Sequence, residues 1–559
     1  GRTAIRFRGS NGGLSPVERA RITAERLKPL ASSGGWKSIT VKSVNKNRAN
    51  VVVGEQLICI ATAADAKAAG MSAQALAQNW AKLLREYFSL PPITVEPKEI
   101  VVPENENRTA NIGGALTGVI VSSDGNPEVA TSTIDNVKRA IVVKGKSVGR
   151  STIEIDCQGY KTTLTVNVKR YAAKVGVPAA IEVTGNPAPE WILAKAAESV
   201  ASESIILEPG ATASFGTPKL TAKSLEVGKT LRVLVPVKTK GPNLIPADLA
   251  APVDIINLPV SYKAADDLLY SNNPERLTRY GVLFTGKLEL DKRSRLFFHH
   301  QNMLGKRVRF NVELINAGNT TAKVQTVSGI SRPMVDTVVV GYVAGREFLR
   351  DYLDNVGLVH RIPPKSKRVL YADNLEHTNT ASGIIDIRQL SGEDVYVKVS
   401  ADVPEAGQLS SGATAPISDW HIPTQISDHV YPTPARDVEA NYVVGGQWAF
   451  IRIGKYAIPD ALSAKELQGN YGVIYRIKVR VENPSGEDRT IKVVFEPSAG
   501  PASGLFVING KVVGIKVVSP PNEFEVFSTR VPAGQAKEFT ILTMLLAGSA
   551  YPATLVVRP

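Results

Sequence analysis

Alternating hydrophobic and polar residues are the dominant pattern along the chain, and they are typical of strands that bury one face. The clearest case lies near the C-terminus, where Val473, Tyr475, Ile477, Val479 and Val481 recur at every second position. Similar short runs occur along most of the chain, separated by turns rich in Gly, Pro and Asn. The pattern therefore predicts a mainly β protein.

Two connections between such runs predict hairpins. The pair Asn509-Gly510 joins two β-rich runs, and this dipeptide favours a two-residue turn. Further upstream, the runs 295–302 and 307–315 are separated only by Met303-Leu304-Gly305-Lys306. This short spacing predicts that the two runs pair with each other.

Helical signals are clearest in the first 90 residues. A strand is expected at 3–8, and Ser15 and Glu18 then form a capping box that predicts a helix to about Leu30. Ser72 begins a second helix after two further strands. The apolar positions of this helix, at four- and three-residue spacing, are Leu76, Trp80, Leu83 and Tyr87.

The order of elements divides the chain into five modules and a linker. They are a basic α+β module (1–90), a β-sandwich (93–171), a small α+β module (174–262), a β-sandwich with one helix (263–410), a Pro-rich linker (411–436) and a C-terminal β-sandwich (437–559). Helices are expected at 189–201 in the third module and at 347–353 in the fourth.

The second module carries two segments that resemble a known family. They are Ser122-Ser123-Asp124-Gly125-Asn126-Pro127-Glu128-Val129-Ala130, and Gly145-Lys146-Ser147-Val148-Gly149-Arg150-Ser151-Thr152-Ile153 followed by Thr163-Leu164-Thr165-Val166. Both resemble the bacterial immunoglobulin-like group 2 domain, over about residues 93–171. The resemblance implies an immunoglobulin-like β-sandwich of an exported, multidomain bacterial surface protein, with no chemistry of its own.

The two later sandwiches show a short internal similarity. Residues 312–318 contain a strand that ends at Asn316, and residues 479–486 contain one that ends at Asn483. Both segments resemble the strand-Asn-turn-strand of bacterial immunoglobulin-like and adhesion-related domains. The fold class expected for the whole chain is therefore mainly β, with tandem immunoglobulin-like β-sandwiches and two small α+β modules.

Composition argues against catalysis. Among 559 residues there are only six His and two Cys, so the commonest general bases and thiol nucleophiles are scarce. The motif G-x-S-x-G occurs at 145–149, but a β-rich run follows Ser147 where a nucleophile elbow needs a helix. A phosphate-binding loop would require Gly where Ala140 stands. We expect no enzyme, no cofactor, and no catalytic, cofactor-binding or metal-binding residue.

The few histidines do not change this expectation. His299 and His300 are adjacent in a predicted strand, so their side chains point to opposite faces, one packed and one at the surface. In the Pro-rich connection, two histidines and two aspartates have irregular spacing, which disfavours a metal site. These residues are His421, His429, Asp419 and Asp428.

The net charge of +14 is concentrated near the N-terminus. Residues 1–90 carry 14 basic and 5 acidic side chains, so the remainder is close to neutral. Such a module can bind an anionic partner or can simply carry a solvated charged face. Because no zinc-ligand spacing or aromatic-rich basic motif accompanies the charge, we expect no nucleic-acid partner.

Other features bear on compartment and membrane. Cys59 and Cys157 lie in separate β-rich runs, which favours buried free thiols, with a disulfide as the alternative if two modules bring them together. The uncharged stretch around Gly548 and Pro552 predicts two strands and a turn, so we expect no transmembrane segment. We expect a mature, exported form at the cell surface after signal-peptide removal.

These observations predict a structural or adhesive component of the bacterial cell surface. Tandem modules with strand edges, joined by a Pro-rich connection, favour self-association into an extracellular filament or surface layer. A cell-wall or surface glycan is a further expected partner. The alternative is an exported ligand-binding protein, whose basic first module holds an anionic glycan, lipid or nucleic acid.

Overall fold

A computed structural model of the chain describes residues 3–417 and 429–559. The chain folds into two compact units. Unit 1 comprises Gly1–Ala173, Glu208–Thr212 and Lys240–Ala247, and unit 2 comprises Lys174–Leu207, Ala213–Thr239 and Asp248–Pro559. The fold is mainly β and contains tandem sandwiches, as predicted. The finer division into five modules stays a prediction.

Unit 1 begins with an antiparallel sheet in the order β1-β2-β3 that packs against helices. The elements are α1 (Pro16–Ser33), β1 (Ile39–Asn45), β2 (Arg48–Val53), β3 (Gln56–Thr62), α2 (Ala63–Ala69) and α3 (Ala73–Ser89). The capping box of Ser15 and Glu18 and the N-cap at Ser72 are confirmed. Leu76 and Trp80 of α3 lie in the core of this module.

The predicted strand at 3–8 is wrong, because within the described chain this segment has no strand partner. The side chain of Asp65 binds the peptide groups of this segment instead. The backbone N–H groups of Arg8 and Gly9 donate to Asp65 Oδ1 at 2.7 and 3.2 Å, and Phe7 packs edge-on against a tryptophan of α3. The segment is extended, but it is held by a carboxylate rather than by a sheet.

The second half of unit 1 is a sandwich of two sheets. Its strands are β4 (Thr94–Glu96), β5 (Glu99–Pro103), β6 (Asn107–Gly113), β7 (Ile120–Asp124), β8 (Ala130–Asp135), β9 (Ala140–Gly145), β10 (Gly149–Cys157) and β11 (Tyr160–Lys169). The sheet orders are β5-β11-β10-β7 and β4-β6-β9-β8. Alternate residues such as Ile153, Ile155 and Leu164 fill the core between them. Cys59 and Cys157 are both buried and free.

Strands, together with the helices α4 and α5, make up most of the described chain after β11. Up to α5 the elements are β12 (Ala173–Val175), β13 (Ala179–Thr184), β14 (Ala188–Pro189), α4 (Glu190–Val200), β15 (Ile205–Leu207), β16 (Thr212–Phe215), β17 (Ser224–Leu225), β18 (Thr230–Lys240), β19 (Ala247–Asn257), β20 (Asp267–Ser271), β21 (Arg276–Leu277), β22 (Gly281–Lys287), β23 (Arg293–Asn302), β24 (Val308–Asn316), β25 (Ala322–Ile330) and α5 (Thr337–Tyr352).

The strands after α5 complete unit 2. They are β26 (Gly357–Ile362), β27 (Ser366–Leu375), β28 (Thr380–Ser391), β29 (Val395–Asp402), β30 (Thr414–Pro416), β31 (Val430–Tyr431), β32 (Ala435–Val443), β33 (Ala449–Ile453), β34 (Ile458–Pro459), β35 (Glu466–Leu467), β36 (Ile474–Glu482), β37 (Arg489–Pro497), β38 (Ala502–Ile508), β39 (Lys511–Val518), β40 (Phe524–Val531), β41 (Ala536–Met544) and β42 (Ala553–Arg558).

A long sheet organises unit 2. Its order is β16-β18-β19-β13-β26-β25-β28-β23-β20-β31, with β21 beside β23. The sheet β22-β29-β24-β27-β30 packs on one face, where Phe298 meets Phe310. On the other face, Phe297, Phe348 and Phe506 belong to one core shared with α5 and the C-terminal sandwich. That sandwich consists of β32-β36-β41-β38-β39 and β33-β42-β37-β40.

One predicted hairpin is wrong and the other is confirmed. Strand β23 pairs with β20 and β28, whereas β24 pairs with β27 and β29, so the connection 303–307 carries the chain between two sheets. In contrast, Ile508 pairs with Lys511 across Asn509-Gly510. Asn509 and Gly510 have φ angles of 50° and 74°, as this kind of tight turn requires.

Helix α5 is longer than the sequence predicted. The prediction covered 347–353, whereas the helix begins at Thr337 after an N-cap at Asp336. Its first turn contains three consecutive valines, and β-branched residues favour strands by propensity. Tertiary packing overrides that preference, because Val340 is buried and Phe348 lies in the shared core.

Buried asparagine side chains form hydrogen bonds with the backbone of several connections between sheets. Asn302, Asn316 and Asn483 each donate from Nδ2 to the backbone carbonyl four residues further on, at 2.7 to 2.8 Å. Asn316 and Asn483 also bridge to a second connection. The additional acceptors are the carbonyls of Ile362 and Pro363 for Asn316, and of Val531 and Pro532 for Asn483. The similarity between 312–318 and 479–486 thus extends to matching hydrogen bonds.

Candidate interaction surface

The G-x-S-x-G motif lies in a turn between β9 and β10. Ser147 Oγ donates to the carbonyl of Glu128 at 2.7 Å. A nucleophile elbow requires a helix directly after the serine, and strand β10 stands there instead. The motif therefore has the geometry of a connection between strands.

Both adjacent histidines are buried, which corrects the expectation that one would lie at the surface. Strand β23 lies inside the long sheet and has packed layers on both faces. His300 is hydrogen-bonded to Ser271 and to the Pro274 carbonyl. His299 lines a cavity of about 360 Å³, 3.9 Å from Glu275, and its ring nitrogens have no hydrogen-bond partner within the described residues. Burial lowers the pKa of His299 to about 3, so the ring is neutral at physiological pH.

Among the candidates in the Pro-rich connection, His429 alone lies within the described residues. His421, Asp419 and Asp428 lie outside the described residues. His429 Nδ1 lies 3.8 Å from Asp460, and its Nε2 lies 2.9 Å from an Asn273 amide nitrogen. Across residues 3–417 and 429–559, no group of three or more His, Cys, Asp or Glu side chains could hold a metal ion.

A buried charge cluster, which the sequence did not reveal, joins strands of unit 2. Arg293 Nε and Arg295 Nε donate to opposite oxygens of Asp386, at 3.0 and 2.7 Å. Arg295 also donates to the carbonyls of Pro434 and Gly472, at the start of the C-terminal sandwich. These side chains are about 1% exposed or less, so the cluster is part of the packing and not an open site.

The N-terminal module pairs one acid with one base in its interior, so its surface keeps the same basic excess. Burial alone would raise the pKa of Asp65, but hydrogen bonds from Arg19 and from the Arg8 backbone lower it to about 2. Asp65 therefore remains ionised and paired inside the module. Exposed basic side chains on its surface include Lys28, Lys37, Lys42, Lys46, Arg48, Lys67 and Lys82.

The C-terminal sandwich has an open side between its two sheets. Strand β32 ends one sheet and β33 ends the other, and within the described chain neither has a second strand neighbour. A groove of about 890 Å³ lies along them, lined by Val438, Ala440, Phe450 and Arg452 among others. Val438 and Ala440 pack against the core but are only half-buried. The core is therefore partly accessible from the groove.

Strand β32 offers a long unpaired edge at this groove. Its nine residues pair in parallel with β36, and the described residues supply no strand on its other side. An edge strand directs part of its backbone N–H and C=O groups away from the sheet, where they can bind another strand. Such an edge beside an apolar groove is the arrangement that accepts an extended segment by β-augmentation.

Exposed aromatic side chains mark the same side of the sandwich. Trp448 and Phe450 are 43% and 54% exposed, and their rings lie 6.5 Å apart. Tyr456 also lines the groove and is 63% exposed. Aromatic residues are enriched in the buried centres of protein interfaces. The groove and these rings form the candidate interaction surface of this protein.

Local sequence signals did not identify this surface. The alternation of Val438, Ala440 and Tyr442 could have predicted a strand at 435–443, but the expected boundary between linker and sandwich divided it. Whether a strand has one neighbour or two depends on residues distant in the chain. The sequence of β32 itself therefore does not indicate that the strand lies at an edge.

The fold and this surface define a mainly β protein of tandem sandwiches with an open strand edge. A family model described as a domain of unknown function (DUF8459) matches residues 1–89. No curated protein matches the chain. Among the described residues, no helix combines the length and apolar character needed to cross a bilayer.

Several solved structures match parts of the chain. Domains 4 and 5 of the S-layer protein SbsC are 22% identical, with 14% of this chain and 45% of that chain covered and a TM-score of 0.13. A longer SbsC structure is 13% identical, with coverages of 38% and 32% and a TM-score of 0.15. The human mucin-like protocadherin EC1-2 is 13% identical, with coverages of 30% and 98% and a TM-score of 0.13.

This chain spans less than half the length of either of those SbsC structures. At TM-scores this low, the likeness carries no argument about the function of this chain.

Proposed function

We propose that the protein is a non-catalytic structural component of the bacterial cell surface, whose copies assemble into an extracellular filament or layer. The open edge β32, with its groove and exposed aromatic residues, is the observation that carries the proposal. The unpaired backbone groups of such an edge can bind a strand of another copy. The resemblance of 93–171 to immunoglobulin-like group 2 domains supports an exported protein.

The test uses the full chain, isolated without denaturant. We expect negative-stain microscopy to show regular polymers, and light scattering to give masses above 59.9 kDa that increase with concentration. Labelling of intact cells with a reagent that cannot cross the membrane should reach the same material. A protein that stays at 59.9 kDa at every concentration contradicts the proposal.

A second candidate function is that the basic N-terminal module binds an anionic surface polymer. The β1–β2 hairpin supports it, because Lys42, Lys46 and Arg48 are exposed together and only Lys42 has an ion pair recorded within the described residues. We expect the chain to bind a heparin resin and to elute as salt rises, because salt screens such contacts.

The matched variant carries Lys46→Glu and Arg48→Glu, and we expect it to elute at lower salt. The control carries Lys492→Glu and Arg530→Glu, the same charge change at exposed positions of the C-terminal sandwich, and should elute like the parent protein. Equal shifts in both variants would assign retention to net charge alone and exclude a site in the module.

A further inference from the structure

The sheet that contains β32 has a second unpaired edge of matching length. In the order β32-β36-β41-β38-β39, β32 has nine residues and β39 has eight. Within the described residues, neither strand has a partner on its outer side. One sheet therefore presents two edges that lie on opposite sides of the same sandwich.

The directions of the strands allow one edge to form hydrogen bonds with the other edge of a second copy. Strand β32 is parallel to β36, and each following neighbour is antiparallel to the one before. Strand β39 therefore runs opposite to β32. If two copies are related by translation along the sheet, β39 of one copy meets β32 of the next in antiparallel orientation. This is the pairing with the better hydrogen-bond geometry.

The charges on the two edges differ in sign and lie on the same face. Tyr442 of β32 points into the core, so Glu439 and Asp437 point to the outer face. On β39, Ile515 is in the core, which places Lys516 on the outer face with Gly514. Gly514 lies against Tyr342 of α5, so the outer face is the one that turns towards α5 and away from the second sheet of the sandwich.

This charge pattern distinguishes an open chain of copies from a closed dimer. Asp437 is already bound by Arg476 of β36, so among the described residues Glu439 carries the free negative charge of this edge. Pairing β32 with β32 would bring the Glu439 side chains of two copies together, and pairing β39 with β39 would do the same for Lys516. Like charges facing each other across strands are destabilising, whereas opposite charges stabilise the pair. Unlike edges are therefore the favoured combination.

We propose that copies of this chain join by adding β39 of one copy to β32 of the next, so that one sheet continues from copy to copy. The incoming β39 lies in the groove beside β32 and covers the half-buried Val438 and Ala440. Contacts between unlike edges are heterologous, and they generate an open filament when the rotation from copy to copy does not close a ring. The inference rests on the proposed self-assembly and specifies its contact.

The test exchanges the two charges in the full-length chain. Glu439→Lys on β32 and Lys516→Glu on β39 each place like charges at the joint. We expect each variant alone to need a roughly tenfold higher concentration for half-assembly, as measured by light scattering. The double variant restores opposite charges, and it should assemble within about threefold of the parent protein.

Mixing gives a sharper readout, because each single variant can complement the other. If Glu439→Lys and Lys516→Glu copies alternate along the filament, every joint again pairs a basic with an acidic side chain. The mixed solution should therefore assemble at concentrations where neither component does so alone. The control is Glu487→Lys, an equally exposed charge change in the connection after β36, which should leave assembly unchanged. Circular dichroism and melting curves of all variants should match the parent protein.

The outcomes separate this joint from the broader function. If the parent protein assembles and both single variants assemble equally well, the β32–β39 joint is wrong and the structural role stands on another surface. If Glu439→Lys changes assembly and Lys516→Glu does not, the contact is a dimer through β32 and not the β32–β39 joint. If the parent protein is monomeric throughout, both the joint and the proposed function are overturned.

Discussion

Asn302, Asn316 and Asn483 each stand where the chain leaves one sheet for its neighbour. At such a place the backbone carbonyls of two connections turn inwards, and buried carbonyls need donors. One amide can supply them, because Nδ2 carries two hydrogens and Oδ1 can accept from a backbone N–H of the same turn. In Asn316, Oδ1 accepts a hydrogen bond from the Gly318 N–H at 3.0 Å.

Removal of one such amide should be costly. Asn483→Ala leaves the carbonyls of Glu487, Val531 and Pro532 without this donor. We expect the variant to lose about 1 to 3 kcal/mol of stability, the usual cost of unsatisfied buried groups. Urea unfolding followed by tryptophan fluorescence measures the change.

The control for this prediction is Asn522→Ala, in an exposed turn of the same sandwich. Its midpoint of unfolding should stay close to that of the parent protein. Asn483→Asp should not rescue the variant, because an ionised carboxylate cannot donate to carbonyls. If Asn483→Ala unfolds at the same urea concentration as the parent protein, solvent replaces the amide without loss of stability.

At the scale of elements, helix α5 depends on close approach to its neighbours. A Cβ on Gly329 of β25 would overlap the backbone of Ala344 and Phe348, so the helix can lie against the long sheet only because this residue lacks a side chain. On the opposite side of the helix, Gly345 contacts Leu546 and Leu505 of the C-terminal sandwich. Glycines thus set the spacing of these layers.

A larger side chain at the helix contact should separate these layers. Gly345→Leu would overlap Leu546 and Met544, and overpacked cores typically lose about 1 to 3 kcal/mol. We expect a lower melting temperature by calorimetry. Arg346→Leu adds a leucine at the neighbouring exposed position and should have little effect. Equal melting temperatures of the two variants would mean that the helix can shift without loss of stability.

The sequence predicted strands better than it predicted their partners. Alternation identified β36, and Asn509-Gly510 identified the β38–β39 hairpin, because both signals are local. The connection 303–307 gave the same kind of signal but crosses between sheets. Residues 3–8 have strand-like composition, yet Asp65 binds their peptide groups. Pairing and sheet membership depend on distant residues, which a local pattern does not report.

At the scale of the whole molecule, hydrophobic cores are shared more widely than the sequence suggested. In unit 2, Phe297 and Val327 lie in the same core as Ile477 and Phe506, although a Pro-rich connection separates them in the chain. In unit 1, the α+β module and the sandwich have separate cores. The candidate surface follows from this organisation, since it lies where the part of the chain that the structure describes places no further strand beside the C-terminal sandwich.

The burial of both cysteines makes the protein a convenient subject for thiol chemistry. Cys59 and Cys157 are sealed in the two cores of unit 1, and burial raises the pKa of Cys59 to about 12. A thiol that stays protonated reacts poorly with maleimides. A single cysteine introduced on the surface would therefore take up one dye or one gold particle per copy, and distances between labels would report the repeat of any assembly.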